Sequence, residues 1–479
     1  MIRWSMSRLS RATAQSLILP ASLCLALTLP QGAIAQEDGE TIELSTSSDA
    51  AKMHFWAGME DAHNVYGPGA VRHFEQAIAA DPGWGIAHVM RAQIAVMPND
   101  ERLEEIGRGI AQMGDATDDE LLMAAAVRAF RTGNGAEASR MIETLRRNNP
   151  GDPYATFWAA QTAAARGSQM NPGAMWERVI EDFPDYAPSY NMLAYARLGM
   201  DDRSGAMEAV QDYLRHASDH PNAHDSYAEM LQASGRYADA LTHYGHAAER
   251  AEDYDAAHTG MAETYVLMGE YEEAARHMEA AAEITESPAT RVNDLRGAAS
   301  AYMLGGDRSA AMEALAAAAE AATDDGAAGF AHLQMALTAG MMGRGGDVAG
   351  HLAQAATLGG GDNPGFHGMS AMAHAAAGHG DEAREAASHI PEGNAFWTDV
   401  GRSARALSLV EDGDPQGAME VLRDADGTNP MVQAVMAEAL DELDRDPEAE
   451  ALRSDVLNLR TFNLANPFIA ASRYLAMDS

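Results

Sequence analysis

The chain has 479 residues, 47% of them hydrophobic and 22% charged, so it can bury a core and is not disordered by composition. Asp plus Glu number 71 against 33 Lys plus Arg, a formal net charge of −38, which excludes non-specific nucleic-acid binding through phosphate contacts. Aromatics are 6%, alanine is abundant and Met reaches 29, a composition suited to close-packed helices rather than sheets.

Residues 1–35 read as a secretory signal. Arg3, Arg8 and Arg11 precede an apolar run over 16–29, and Ala33-Ile34-Ala35 supplies a small-x-small cleavage site before Gln36. The run is broken by Pro20 and is short for a span of about 20 residues, and no later segment is apolar enough to cross a membrane. The expectation is an exported protein, periplasmic or extracellular. Cys24, the sole cysteine, lies inside this signal, so cleavage removes any disulfide, thiolate nucleophile or Cys-ligated zinc. Residues 36–50 are acidic and rich in Ser and Thr, and read as a leader ahead of the first helix.

Self-similarity dominates the rest of the chain. The block Gly235-Arg-Tyr237-Ala-Asp-Ala240 recurs 34 residues later as Gly269-Glu-Tyr271-Glu-Glu-Ala274. Tyr244 and Ala247 complete the first block, and Met278 and Ala281 the second. Upstream, His224, Tyr227, Ala228 and Leu231 are mirrored by His258, Met261, Ala262 and Tyr265. Glycine continues the series at Gly306, Gly343, Gly378 and Gly413. Earlier in the chain the mark is a proline closing the unit, as at Pro82, Pro150 and Pro184, and Pro430 is read the same way.

This pattern resembles the tetratricopeptide repeat (TPR), a 34-residue helix–turn–helix, and the exported bacterial members of that family whose role is undefined. The resemblance implies an all-α fold, a right-handed α-solenoid of about twelve stacked repeats. N-terminal repeats fall over 51–184, well-formed central repeats over 187–322 and divergent repeats over 323–460, with a capping segment at 461–479. Apolar residues at helical spacing give each half-repeat one buried stripe, and small residues let paired helices approach closely. One pair cannot bury both faces alone, so neighbours stack.

In the TPR family the first helix of each unit lines a concave groove. Carried over position by position, the resemblance implies a peptide-binding face of Tyr154, Phe157, Asn191, Tyr195, Asp225, Glu229, Glu263, Asn293 and Arg296. Lys52 is the only lysine, so the familiar lysine clamp for carboxylate tails is missing. An acidic groove favours a basic partner, whereas a solubility response to a high-salt habitat explains the same charge without a ligand.

No catalytic constellation emerges. HExxH, GxSxG and a Walker A loop are absent. Gly343-Arg-Gly345-Gly-Asp-Val348 lacks the third glycine of a dinucleotide fingerprint, and Asp412-Gly-Asp414 has Arg423 where a calcium loop needs Glu. Both read as repeat turns. His216, His220 and His224 run at i, i+4 and i+8, but Pro221 interrupts the helix and His224 sits at a core position; His367, His374 and His379 form a looser group. The reading is a non-enzymatic exported scaffold for protein or peptide partners, with no cofactor and no resident metal. The alternative is a small-molecule or metal-binding envelope protein using the 216–225 or 359–380 region.

Overall fold

The structure is a computed structural model that describes residues 41–166, 171–343, 345–360, 363–391, 393–459 and 463–477. The signal reading over 1–35, Cys24 and the first part of the leader lie outside these residues. Among the described residues there are 25 α-helices and no strand, and no helix is long and apolar enough to cross a membrane. The helices fall into two compact units, Met1–Tyr254 and Asp255–Ser479.

Six helical hairpins make up the first unit. They are α1 and α2 (Asp49–His63, Gly67–Ala80), α3 and α4 (Gly85–Ile94, Asn99–Ala111), and α5 and α6 (Asp118–Arg131, Gly135–Asn148). Then come α7 and α8 (Pro153–Ala165, Pro172–Asp182), α9 and α10 (Ala187–Gly199, Arg203–His216), and α11 and α12 (Pro221–Ala233, Tyr237–Arg250).

The second unit opens with α13 and α14 (Asp255–Met268, Tyr271–Ile284), α15 and α16 (Pro288–Leu304, Arg308–Ala321), and α17 and α18 (Asp325–Met341, Gly345–Ala355). A π-helical turn, Ala356–Gly360, follows α18, at the Gly-rich stretch where the repeat signal is weakest. The unit continues with α19 and α20 (Pro364–Ala376, Gly380–Ser388), α21 and α22 (Ala395–Glu411, Pro415–Leu422), and α23 and α24 (Pro430–Asp441, Asp446–Leu457). A single helix, α25 (Pro467–Met477), ends it.

Within each unit consecutive helices pack as neighbours, as the stripes require. Ala240, Tyr244 and Ala247 of α12 are fully buried, and so are Ala274, Met278 and Ala281 of α14. Sequence chemistry sets the helix starts. Thr117 and Glu120 form a reciprocal capping box on α5, Asp152 caps α7 by accepting from the Tyr154 and Ala155 N–H groups, and prolines occupy first-turn positions. Pro82, Pro150 and Pro184 lie between helices, whereas Pro430 is the first residue of α23 and opens a hairpin rather than closing one.

Most of the described hairpin turns contain a residue with positive φ, the α3–α4 turn over 95–98 being an exception. Gly235, Gly269, Gly306, Gly343, Gly378 and Gly413 all sit between +73° and +81°, which explains their periodic recurrence. Three hairpins meet the same demand without glycine, at Val65 (60°), Asp201 (63°) and Asp444 (56°). The bonding is unchanged: Val65 N–H donates to Ala62 O (3.2 Å) and Tyr66 N–H to Asp61 O (2.7 Å), as Gly235 and Arg236 do to Gln232 and Leu231.

The C-terminal segment covers the last hairpin, α23 and α24, and also packs on α15 and α17. At the other end, residues 41–48 are not a free leader. They run extended against the first unit with Ile42, Leu44 and Thr46 buried.

A branched side chain in the left-handed region costs roughly 1–2 kcal/mol. Val65→Gly is therefore expected to stabilise the protein by about 1 kcal/mol, raising its melting temperature, with a smaller gain for Asp201→Gly. A lower melting temperature for Val65→Gly would contradict this account of the turn.

Candidate functional site

The first helices of the hairpins carry the residues that the TPR resemblance implies, and most of them are covered by other parts of their own unit. Tyr154 and Phe157 on α7 are buried. Tyr154 packs on Trp56 (4.5 Å between centroids), and Phe157 packs on His63 (4.6 Å), Trp176 (5.0 Å) and Tyr186 (5.4 Å). The covering element is α1. Asn191 on α9 is also buried.

Tyr195 and Glu229 come together. The Tyr195 hydroxyl donates to Glu229 Oε2 (2.5 Å) and lies 3.4 Å from Ser226 Oγ, while buried Asp225 stands near enough to raise the tyrosine's pKa further. Burial is the main cause of that rise, followed by the charges of Glu229 and Asp225. Both Tyr195 and Glu229 keep part of their surface exposed.

In the second unit Glu263 is buried on α13, and Arg296 is buried on α15. Arg296 donates to Asn293 Oδ1 (3.0 Å), Gln334 Oε1 (2.9 Å) and the Ala465 carbonyl (2.8 Å), and lies over the Phe330 ring (4.3 Å). Burial lowers its pKa to about 10. The carbonyl belongs to the stretch leading into α25, and Leu464 beside it is fully buried. Arg296, expected to line an open groove, thus holds the protein's own C-terminal segment.

A polar network in the first unit escaped the sequence reading. The α1–α2 turn lies against the later hairpins. Tyr213 donates to Asn64 Oδ1 (2.8 Å), Asn222 Nδ2 to the Tyr213 hydroxyl (3.1 Å), and Tyr254 to Asn222 Oδ1 (2.9 Å). Tyr186 bonds His63 Nδ1, and Asp253 holds both Tyr66 and Arg72. Nearby Glu60 is pushed up to about 7, chiefly by burial and secondarily by Asp61. Trp84, Tyr186 and Tyr254 each precede a hairpin and stand in phase with the 34-residue period, which is the signal that marks these positions.

The histidines do not form the cluster that their sequence spacing allows. His216 stacks on Tyr190 (4.9 Å), His220 lies 3.5 Å from Asp61, and His224 faces His243, with Nδ1 atoms 3.1 Å apart. His367 stacks on His389 (5.2 Å), while His374 and His379 approach each other at 3.4 Å. Among the described residues no three His, Cys, Asp or Glu side chains are arranged to hold a metal ion. What recurs instead is a histidine pair bridging the two helices of a hairpin, at His54/His73, His224/His243, His258/His277 and His332/His351.

With this geometry in view, the family model for the tetratricopeptide repeat matches residues 231–298. No curated protein matches the chain. Among solved structures, a thermophilic TPR protein of Thermus thermophilus is 21% identical, with 37% of this chain and 96% of that chain covered at a TM-score of 0.33. PilW, a type IV pilus biogenesis factor, is 16% identical over 42% of this chain and 93% of its own, at a TM-score of 0.36. The Cut9–Hcn1 hetero-tetramer of the APC/C is 12% identical over 84% and 75%, at 0.43.

The histidine pairs carry a pH consequence. Burial first, then Arg250 and the neighbouring His243 and His246, lower the pKa of His224 to about 4, and burial likewise lowers that of His258. An unfolded histidine protonates near pH 6.5, so as pH falls from 7 towards 4 the unfolded chain gains protons that the folded chain refuses, and stability drops. Buried Asp152, with its pKa raised to about 6, acts in the opposite direction, because its fold stabilisation is lost as pH rises through that value. His224→Gln is therefore expected to show a shallower fall in melting temperature between pH 7.5 and pH 5 than the parent. Equal slopes would remove His224 from the account.

Proposed function

For this tetratricopeptide-repeat protein we propose the role of a non-catalytic scaffold that holds protein or peptide partners. TPR proteins in general mediate protein–protein interactions. The observation that carries the reading here is that the first-helix faces of both units already hold polypeptide. The first unit holds α1, through Trp56 and His63, against Tyr154, Phe157 and Tyr186, and the second holds the Ala465 carbonyl against Arg296. A surface complementary to its own chain has the aromatic, amide and carboxylate groups that another chain requires.

Within that set, Tyr195 and Glu229 in the first unit and Asn293 in the second keep exposed surface and are the proposed entry points for a partner. Asn191 and Asp225 in the first unit and Glu263 and Arg296 in the second are buried, and the formal charge of −38 favours a partner with a basic segment. The scaffold acts outside the cytoplasm in this reading, since residues 1–35 have the pattern of a secretory signal.

Affinity capture with chemical cross-linking tests the role. Captured partners are expected to carry Lys- or Arg-rich segments, to cross-link near Glu229, and to be retained several-fold less by Glu229→Gln or in raised salt. Substrate turnover by the purified chain, with no partner retained at any salt concentration, would contradict it.

A further inference from the structure

The extended segment 41–48 is bound in a manner that specifies a ligand. Its side chains alternate, with Ile42, Leu44 and Thr46 buried and Glu43, Ser45 and Ser47 exposed. Its backbone donates to carboxylates: Ile42 N–H to Asp152 Oδ2 (3.1 Å), Glu43 N–H to Asp119 Oδ2 (3.1 Å) and Ser45 N–H to Glu120 Oε1 (2.9 Å). The Thr117 hydroxyl returns a bond to the Glu43 carbonyl (2.8 Å), and Thr46 Oγ1 donates to Asp81 Oδ2 (2.5 Å). The segment therefore crosses the leading ends of α7 and α5 and reaches Asp81 in the turn between α2 and α3, in the cluster that also holds Trp84 and Ile86 at the start of α3. Its run is opposite to the order of the hairpins.

The receiving groups are positioned by the hairpins and not by the segment. Asp152 uses Oδ1 to cap α7, and Asp119 Oδ1 accepts from Asn149 Nδ2 (2.9 Å). Glu120 accepts from Trp84 Nε1 (2.7 Å) and closes the capping box of α5. All three carboxylates are buried. A frame held in this way keeps its shape when its occupant leaves, and it reads backbone N–H groups plus aliphatic side chains at alternate positions.

We propose that the leading ends of α3, α5 and α7 form a docking groove for an extended polypeptide with aliphatic residues at alternate positions. Residues 41–48 are its built-in occupant, which a partner of that pattern displaces. The proposal rests on the scaffold reading above and adds the partner's chemistry and its regulation. It is a site distinct from the Tyr195–Glu229 pair, because its acceptors recognise main chain rather than positive charge.

The test uses the full chain carrying Ile42→Asp and Leu44→Asp and a fluorescent peptide spanning residues 36–50. The double variant is expected to bind the peptide at least ~10-fold more tightly than the parent, whose groove is filled. A peptide N-methylated at the positions of Ile42 and Ser45 is expected to lose that binding. A variant with the parent's helical circular dichroism that binds no better than the parent overturns the proposal. Hydrogen exchange on the parent decides the matter if the variant does not fold. Amides of 42, 43 and 45 exchanging at least ~10-fold faster than those of α5 and α7 are expected, and exchange only together with those helices overturns it. A partner that cross-links solely near Glu229 would sink this groove while leaving the scaffold reading intact.

Discussion

A two-helix hairpin has two apolar stripes and can bury only part of them against itself. Everything else in the molecule depends on how the remainder is covered. Stacking the next hairpin covers most of it, and alanines such as Ala70, Ala138, Ala240 and Ala274, all fully buried, allow the close approach that stacking needs. In most hairpins a tight turn of positive φ, met by glycine or by Val65, Asp201 and Asp444, returns the second helix to the first.

Stacking leaves the inner face of each unit and its outermost hairpins uncovered, and both units use their own chain there. The first unit applies the α1–α2 turn and the 41–48 segment; the second applies Leu464, Ala465 and α25. These contacts are polar as well as apolar, so they select a particular chain conformation instead of a generic greasy cover. Buried carboxylates that receive backbone N–H groups, and tyrosines that receive side-chain amides, are devices for recognising polypeptide. The proposed scaffold role extends the same chemistry from the chain itself to a partner.

The hairpin architecture was legible because its signal repeats. The glycines at 235, 269, 306, 343, 378 and 413 mark turns whose backbone demands them, and the stripes of Ala240–Tyr244–Ala247 type mark the buried faces. The cover was illegible for the opposite reason, since each covering segment occurs once. Ile42 and Leu44 alternate with polar residues over too short a window to stand out in an acidic stretch, and a strand-like segment is recognisable only beside what it pairs with. Tyr154, Phe157 and Arg296 occupy the repeat positions that the family uses for ligands, but their burial depends on segments far away in sequence. The histidines at 216–224 share a helical spacing but not a helix, because His216 ends α10 and Pro221 starts α11, so their rings meet different partners.

The central claim is that the hairpin stack holds an extended segment of polypeptide in a fixed register. Its most direct test is a distance measurement by electron paramagnetic resonance, with short distances read from the dipolar broadening of the continuous-wave spectrum and long ones from the pulsed experiment. Spin labels would be placed at exposed Glu43 and Asp118, in a chain whose sole cysteine, Cys24, is replaced by serine. A single narrow distribution of short distances is predicted. A broad distribution reaching long distances, with the helical signal of the chain intact, would contradict the account.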